Sequence, residues 1–274
     1  MPVVVGAPRS GTTLLRLMID SHPQVAVPPE TWFLIELSTL LDQPGVGVDV
    51  LLETIVERGT WPDFGLSPAA LRAELTPGDP AGAARAFYRL YAARHGKPRW
   101  GDKTPTDRID EIARLLPEAR FVHLIRDGRD VAASLRTMPF APSPDLGELA
   151  AFWRSCVLRI REQGRRLGRY LEVRYEELVT EPQAQLQRIC DHVELEFDPA
   201  MLEHHLRGRE RLSEHQGRTA ATTALTQEQR LRQQANSIRP PDPALIGRWR
   251  TLLSDDEVQR FEAGAGDLLA ELGY

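Results

Sequence analysis

Three β-branched apolar residues, Val3 to Val5, open the chain, and a loop from Gly6 to Gly11 interrupts them. Apolar positions resume at Leu14, Leu15, Leu17 and Met18 with the spacing of one helical face, so the first segment reads strand, loop, helix. His22-Pro23 ends that helix, residues 24–27 predict a short second strand, and Pro28-Pro29 precedes a helix over about 32–41. Residues 48–96 carry a helical pattern punctuated by Pro62, Pro68, Pro77 and Pro80, which predicts an inserted helical cap. Alternation returns with a strand at Arg99-Trp100, a helix over about 106–116, a strand over 121–125 and a helix over about 128–136. A long amphipathic helix over 146–167, a strand over 170–173 and a helix over 182–193 follow. Two helices close the chain, the last opening on the capping-box pattern Ser254-x-x-Glu257.

Alternating strands and helices imply a central parallel sheet covered on both faces, a three-layer α/β fold in one domain spanning 1–274. In such folds ligands sit beyond the carboxyl ends of the strands. Arg9, Glu30, Lys103, Arg126 and Tyr175 each follow a predicted strand, so the five are expected along one edge.

Composition narrows the function. At 42% hydrophobic and 27% charged the chain can bury one substantial core, and a net charge of −5 argues against a general nucleic-acid binder. Positive charge is almost wholly arginine, the two lysines being Lys97 and Lys103. Cys156 and Cys190 lack metal or redox spacing and read as buried thiols. No leader pattern follows Met1 and no apolar run reaches spanning length, so a soluble, cytoplasmic protein with no membrane partner is expected; no oligomeric state is assigned. The polar, arginine-rich stretch 207–239 reads as a solvated helix or loop, or as a lid over an anionic ligand.

The loop Gly6-Ala-Pro-Arg-Ser-Gly11-Thr12-Thr13 has the glycine spacing of a phosphate-binding loop, with backbone N–H groups turned inward and a helix N-terminus behind them. A nucleotide triphosphatase would carry Lys-Ser/Thr after the second glycine. Thr12 stands there instead, and the cation, Arg9, lies inside the loop, which suits an anion with no obligatory metal.

With these motifs the chain resembles the sulfotransferases that use 3′-phosphoadenosine-5′-phosphosulfate (PAPS), in the branch of tyrosylprotein and bacterial small-molecule enzymes. The likeness rests on Pro8 to Leu15, Asp20-Ser-His-Pro23, Pro29-Glu-Thr31, Asp102-Lys-Thr-Pro105, Arg126-Asp-Gly-Arg-Asp130 with Ser134, and Arg174-Tyr-Glu-Glu-Leu178. It implies a P-loop-like fold in which Arg9, Ser10, Gly11, Thr12 and Thr13 hold the 5′-phosphosulfate and Arg126 and Ser134 hold the 3′-phosphate. Tyr175 and Arg248 are implied as further contacts to the nucleotide, whose product form is 3′-phosphoadenosine 5′-phosphate (PAP). Glu30 is implied as the base that takes the acceptor's hydroxyl proton, with Lys103 and Arg9 stabilising the departing oxygen.

Plainer readings stand beside these. Glu30 could complement a helix dipole, Arg126 could pair with Asp127 or Asp130, Lys103 could be a surface cation, and Tyr175 could be a packed ring. The cytosolic steroid and phenol enzymes carry a lysine where Arg9 stands and use a histidine base, which keeps His22, His123, His204, His205 and His215 in view. No Arg-Lys-Gly motif closes the chain. The acceptor is expected to be a small hydroxylated molecule. Trp32, Phe33, Trp61, Phe64, Phe87 and Tyr88 would suit a phenol or apolar alcohol if they face the site, and are ordinary core otherwise. The rival readings are sulfation of a peptide tyrosine, a degenerate P-loop kinase or triphosphatase, and a nucleotide-binding protein without turnover.

Overall fold

Val3, Val4 and Val5 are fully buried, and a strand buried on both faces belongs inside a sheet. The computed structural model describes residues 1–104, 106–214, 216, 218–220 and 223–274, without the side chains of 218–220 and 223–225; Pro105 and His215 lie outside the described residues. β1 (Pro2–Val5) leads through the glycine loop to α1 (Thr12–Asp20), then β2 (Val25–Ala26) and α2 (Leu34–Thr39). Three helices follow, α3 (Val48–Val56), α4 (Pro68–Ala73) and α5 (Pro80–Arg94), then β3 (Arg99–Trp100), β4 (Asp102–Lys103) and α6 (Ile109–Leu115). Next come β5 (Arg120–Ile125), α7 (Gly128–Leu135), α8 (Leu146–Leu167), β6 (Tyr170–Arg174), α9 (Tyr175–Thr180), α10 (Pro182–Val193) and α11 (His204–Ser213). A hairpin of β7 (Arg218–Ala220) and β8 (Thr223–Leu225) precedes α12 (Gln227–Gln233), α13 (Trp249–Leu252) and α14 (Asp255–Glu271).

The main sheet is parallel in the order β4-β1-β5-β6, and its pleat divides the core in two. Val3, Val5, Phe121 and Ile125 face one hydrophobic layer with α2 to α8 and α14. Val4, Val122, Leu124 and Val173 face another with α1, α9 and α10. The expected three-layer α/β arrangement is therefore present. Ser254 caps α14, accepting from the Glu257 N–H while the Glu257 side chain returns to the Ser254 N–H.

Two local expectations change. Lys103 lies in a strand of its own rather than in a loop after the strand at Arg99-Trp100. The chain continues through Gly101 into β4, and there it exchanges partners, β3 pairing with β2 and β4 with β1. A Cβ on Gly101 would stand 2.8 Å from the Pro2 ring and 2.9 Å from its carbonyl, so only glycine permits this crossing. The helix expected from residue 32 starts at Leu34, because Trp32 adopts a left-handed φ of 49°.

Residues 48–96 form helices whose aromatic rings build the core. Phe33, Phe64, Phe87 and Tyr88 are buried, and Phe87 packs edge-on against Phe33 and Phe64 at 4.8 Å between centroids. Core packing is thus the correct reading of these four rings.

His123 is buried on β5, with Nδ1 2.6 Å from the Tyr170 hydroxyl, and burial pushes its pKa down to about 3. Between that value and the ordinary 6.5, the unfolded chain binds a proton that the native state refuses, so this residue's stabilising contribution is lost as pH falls through the window. His123→Gln should therefore show a smaller drop in urea midpoint between pH 6.5 and pH 4 than the parent chain. An equal or larger drop would contradict the assignment.

Candidate active site

The 6–11 loop is shaped by close approaches. A Cβ on Gly6 would lie 2.5 Å from the Leu124 carbonyl oxygen, and one on Gly11, at φ 95°, would lie 2.5 Å from the Tyr175 ring. The Ser10 N–H closes the turn on the Ala7 carbonyl at 3.1 Å. Arg9, at the apex, takes a left-handed φ of 69°, a conformation that costs an L-residue about 1–2 kcal/mol. The strain turns its guanidinium over the cleft, where Nε donates to Ser134 Oγ at 3.1 Å and Nη2 to the Gln233 carbonyl at 3.2 Å.

Arg126, just past β5, reaches the same wall. Its Nη2 donates to the Leu245 carbonyl at 2.7 Å and to Asp130 Oδ2 at 3.3 Å, and its guanidinium stacks 4.3 Å from the Tyr175 ring centroid. Both Asp130 oxygens also accept backbone N–H groups, from Gly247 and Trp249, each at 2.8 Å. One buried carboxylate thus ties Arg126 to the turn that carries Arg248. Burial, and then the neighbouring Arg126, lowers the pKa of Arg9, while Glu30 opposes the shift. Ser10 Oγ and Arg126 Nε are buried without a hydrogen-bond partner among the described residues. The unspent Arg126 N–H, beside the Arg9–Arg126 pair on the cleft wall, fits a phosphate or sulfonate group.

Across the cleft Lys103 pairs with Glu30 Oε1, and the Trp32 indole N–H donates to Glu30 Oε2 at 3.2 Å. The other lysine has a different use: Lys97 Nζ donates to the carbonyls of Asp20 and Val25 inside the fold. The cleft holds about 730 Å³, within the usual range for a small-molecule site, and Gly11, Thr12, Thr13, Ser134, Tyr175 and Arg248 also line it. All the proposed residues except Ser10, whose hydroxyl is buried behind the loop, reach this wall.

Part of the 207–239 stretch covers the cleft. Arg230, Gln233, Gln234 and Ser237 line it, and Arg230 is anchored by Asp63 at 2.6 and 2.9 Å. None of the six described histidines lines the cleft. His22 Nε2 contacts the Glu196 carbonyl at 2.9 Å and His204 Nε2 the Arg239 carbonyl at 3.1 Å, which sets both in structural roles. Sequence reasoning missed Thr137, Phe140 and Leu252 on the wall. A signal existed for Phe140, a large apolar residue between Pro139 and Pro142 in a loop joining two helices. Asp127 faces away from a magnesium role, accepting from Arg129 and from Trp249 Nε1.

A model of the sulfotransferase family matches residues 3–199. The chain belongs to that family. The sulfotransferase is 30% identical over 211 residues to a putative protein-tyrosine sulfotransferase of Caenorhabditis briggsae, covering 74% of this chain and 68% of the relative. It is 28% identical over 299 residues to the nodulation protein NoeE of Sinorhizobium fredii, covering 99% of this chain and 65% of that one. Its fold matches the sulfotransferase domain from the curacin biosynthetic pathway with a TM-score of 0.60 at 20% identity, over 96% of each chain. Mouse sulfotransferase SULT7A1, whose structure is a complex with PAP, matches at 0.53 and 13% identity over 98% and 83%. Among the described residues of this enzyme no helix is long and apolar enough to cross a membrane.

Two glycines report on how tightly the loop is held. Gly11→Ala combines a left-handed φ with an overlap on the Tyr175 ring and should destabilise the sulfotransferase by roughly 1–3 kcal/mol. Gly266→Ala in α14, whose Cβ would meet only Glu262 Cβ at 3.7 Å, should stabilise it by about 0.5–1 kcal/mol. Chemical denaturation measures both, and equal effects would mean that the loop is not constrained as described.

Proposed function

We propose that the enzyme takes its sulfonyl group from PAPS and delivers it to the hydroxyl of a small-molecule acceptor. The supporting observation is the convergence of Arg9 and Arg126, with the unspent Arg126 Nε, opposite the Glu30–Lys103 pair. The loop from Arg9 to Thr13 would hold the phosphosulfate, and Arg126, Ser134, Tyr175 and Arg248 would hold the 3′-phosphate and nucleoside. PAPS supplies the activated sulfonyl group and departs as PAP.

Glu30 accepts the acceptor's hydroxyl proton as the new oxygen–sulfur bond forms, and Lys103 and Arg9 hold the charge that builds on the bridging oxygen as its bond to sulfur breaks. Lys103 has a double part here. In this structure its ammonium pairs with Glu30, and it would turn to the bridging oxygen as charge builds there. Trp32 beside Glu30, with Phe140 and Leu252 exposed on the same cleft, favours a flat apolar alcohol or phenol as acceptor. The names of the tyrosine-sulfating relatives supply the second reading, a peptide tyrosine.

PAP should raise the melting temperature in the absence of magnesium while ATP does much less, because the cleft is lined by both Arg9 and Arg126 and has Thr12 in place of a P-loop lysine. The reverse ranking would favour a kinase or triphosphatase. Glu30→Gln should lower kcat by at least ~100-fold and leave PAP affinity within about twofold, since the base meets the acceptor and not the nucleotide. Full activity of that variant with labelled PAPS would remove Glu30 from the reaction. Parallel assays with hydroxylated aromatics and tyrosine peptides decide the acceptor class.

A further inference from the structure

Glu30 and Lys103 arrive at the cleft on different chain segments, and the backbone does not hold those segments together where the pair forms. The β2–β3 ladder pairs Val25 with Arg99 and Ala26 with Trp100, and ends with the Gly101 N–H donating to the Ala26 carbonyl at 2.9 Å. Past Gly101 the chain turns its hydrogen bonds to β1, with Asp102 opposite Val3 and Lys103 opposite Val4. Among the described residues no backbone hydrogen bond joins 27–31 to 102–104. A side-chain bond does so instead: Thr31 Oγ1 donates to Asp102 Oδ1 at 3.0 Å. Both residues are at 0% exposure, and they are the immediate neighbours of Glu30 and Lys103.

Packing alone gives no reason for a carboxyl here. Burial pushes the Asp102 pKa up to about 7, against the opposing influence of Tyr88, Thr31 and Lys103 beside it. The Tyr88 hydroxyl lies beside Asp102, yet neither it nor Asp102 Oδ2 has a hydrogen-bond partner among the described residues. An apolar pair of the same volume would avoid this desolvation. A local force also needs opposing, because Trp32 next door is held at φ 49°, and relaxing it would swing the 30–32 backbone.

We infer that Thr31 and Asp102 are positioning residues, a buried staple that sets the separation of Glu30 from Lys103. The inference rests on the proposed roles of those two residues. Loss of the staple lets the base drift from the reacting hydroxyl while the phosphate loop, on the far side of β1, is untouched. Misplacement of about 1 Å costs up to ~100-fold in rate, so a partial loss of roughly tenfold is expected when one hydrogen bond is removed.

The test uses the full chain, labelled PAPS, and 4-nitrophenol and phenol as acceptors. Thr31→Val keeps the shape and removes the donor; its kcat should fall about tenfold, with the KM for PAPS and the melting shift caused by PAP unchanged. The fall should be deeper with phenol, which needs a base more than the acidic 4-nitrophenol does. Thr31→Ser should recover activity to within about threefold of the parent, since the hydroxyl returns. If Thr31→Val does not fold, Asp102→Asn, which keeps an acceptor oxygen, is compared with Asp102→Leu, and Asn should be the more active. The staple is overturned if Thr31→Val turns over normally, if Ser fails to rescue it, if KM for PAPS rises in step, or if Asn and Leu at position 102 are equivalent. Full activity of Glu30→Gln would instead overturn the base assignment beneath it, so the two failures are separable.

Discussion

The backbone of the 6–11 loop lies so close to β5 and to Tyr175 that no side chain fits at either glycine, and the other parts of the cleft take their places from that approach. Because Gly6 touches the Leu124 carbonyl, the loop sits directly over the end of β5, and Arg126, the next residue after that strand, reaches the Arg9 carbonyl. Because Gly11 abuts the Tyr175 ring, that ring is available as the platform on which Arg126 stacks. Two arginines that would repel each other in an open loop are held side by side, each oriented by a hydroxyl, a carbonyl or a ring. The repulsion is a reserve of binding energy for an anion.

Charge distribution completes that logic. The chain as a whole is acidic, at −5, yet Arg9, Arg126, Arg248 and Lys103 share a cleft with Glu30 and Asp130. Asp130 is spent on Arg126 and on two backbone N–H groups, and Glu30 on Lys103 and Trp32. The remaining positive charge is concentrated in one cleft, which favours a compact polyanion over an extended nucleic acid.

Much of the fold was legible because its signals are local. The valine run, the glycine loop, the 146–167 helix and the Ser254 cap are each set by adjacent residues, and all appear where the pattern put them. The site motifs were legible for a related reason, since strand ends in a parallel sheet converge whatever lies between. Partner exchange at Gly101 was not legible, because it depends on Pro2, a hundred residues away, leaving no room for a side chain. The left-handed Trp32 was hidden too, as tryptophan carries no preference for that conformation. Nor could the sequence separate the buried rings of Phe64, Phe87 and Tyr88 from the cleft-lining Trp32 and Phe140, since composition marks all of them alike as apolar rings.

The scarcity of lysine has a chemical corollary. Lys97 is enclosed by backbone carbonyls, and Lys103 is 6% exposed and engaged with a carboxylate. Apart from the Met1 amino group, an amine-directed reagent therefore meets a surface whose cations are guanidinium groups, inert to acylation. Lys103 becomes a built-in reporter: its acylation rate follows how tightly Glu30 holds it and whether an anion has taken its place. In a chain with more lysines that signal would be lost among surface amines.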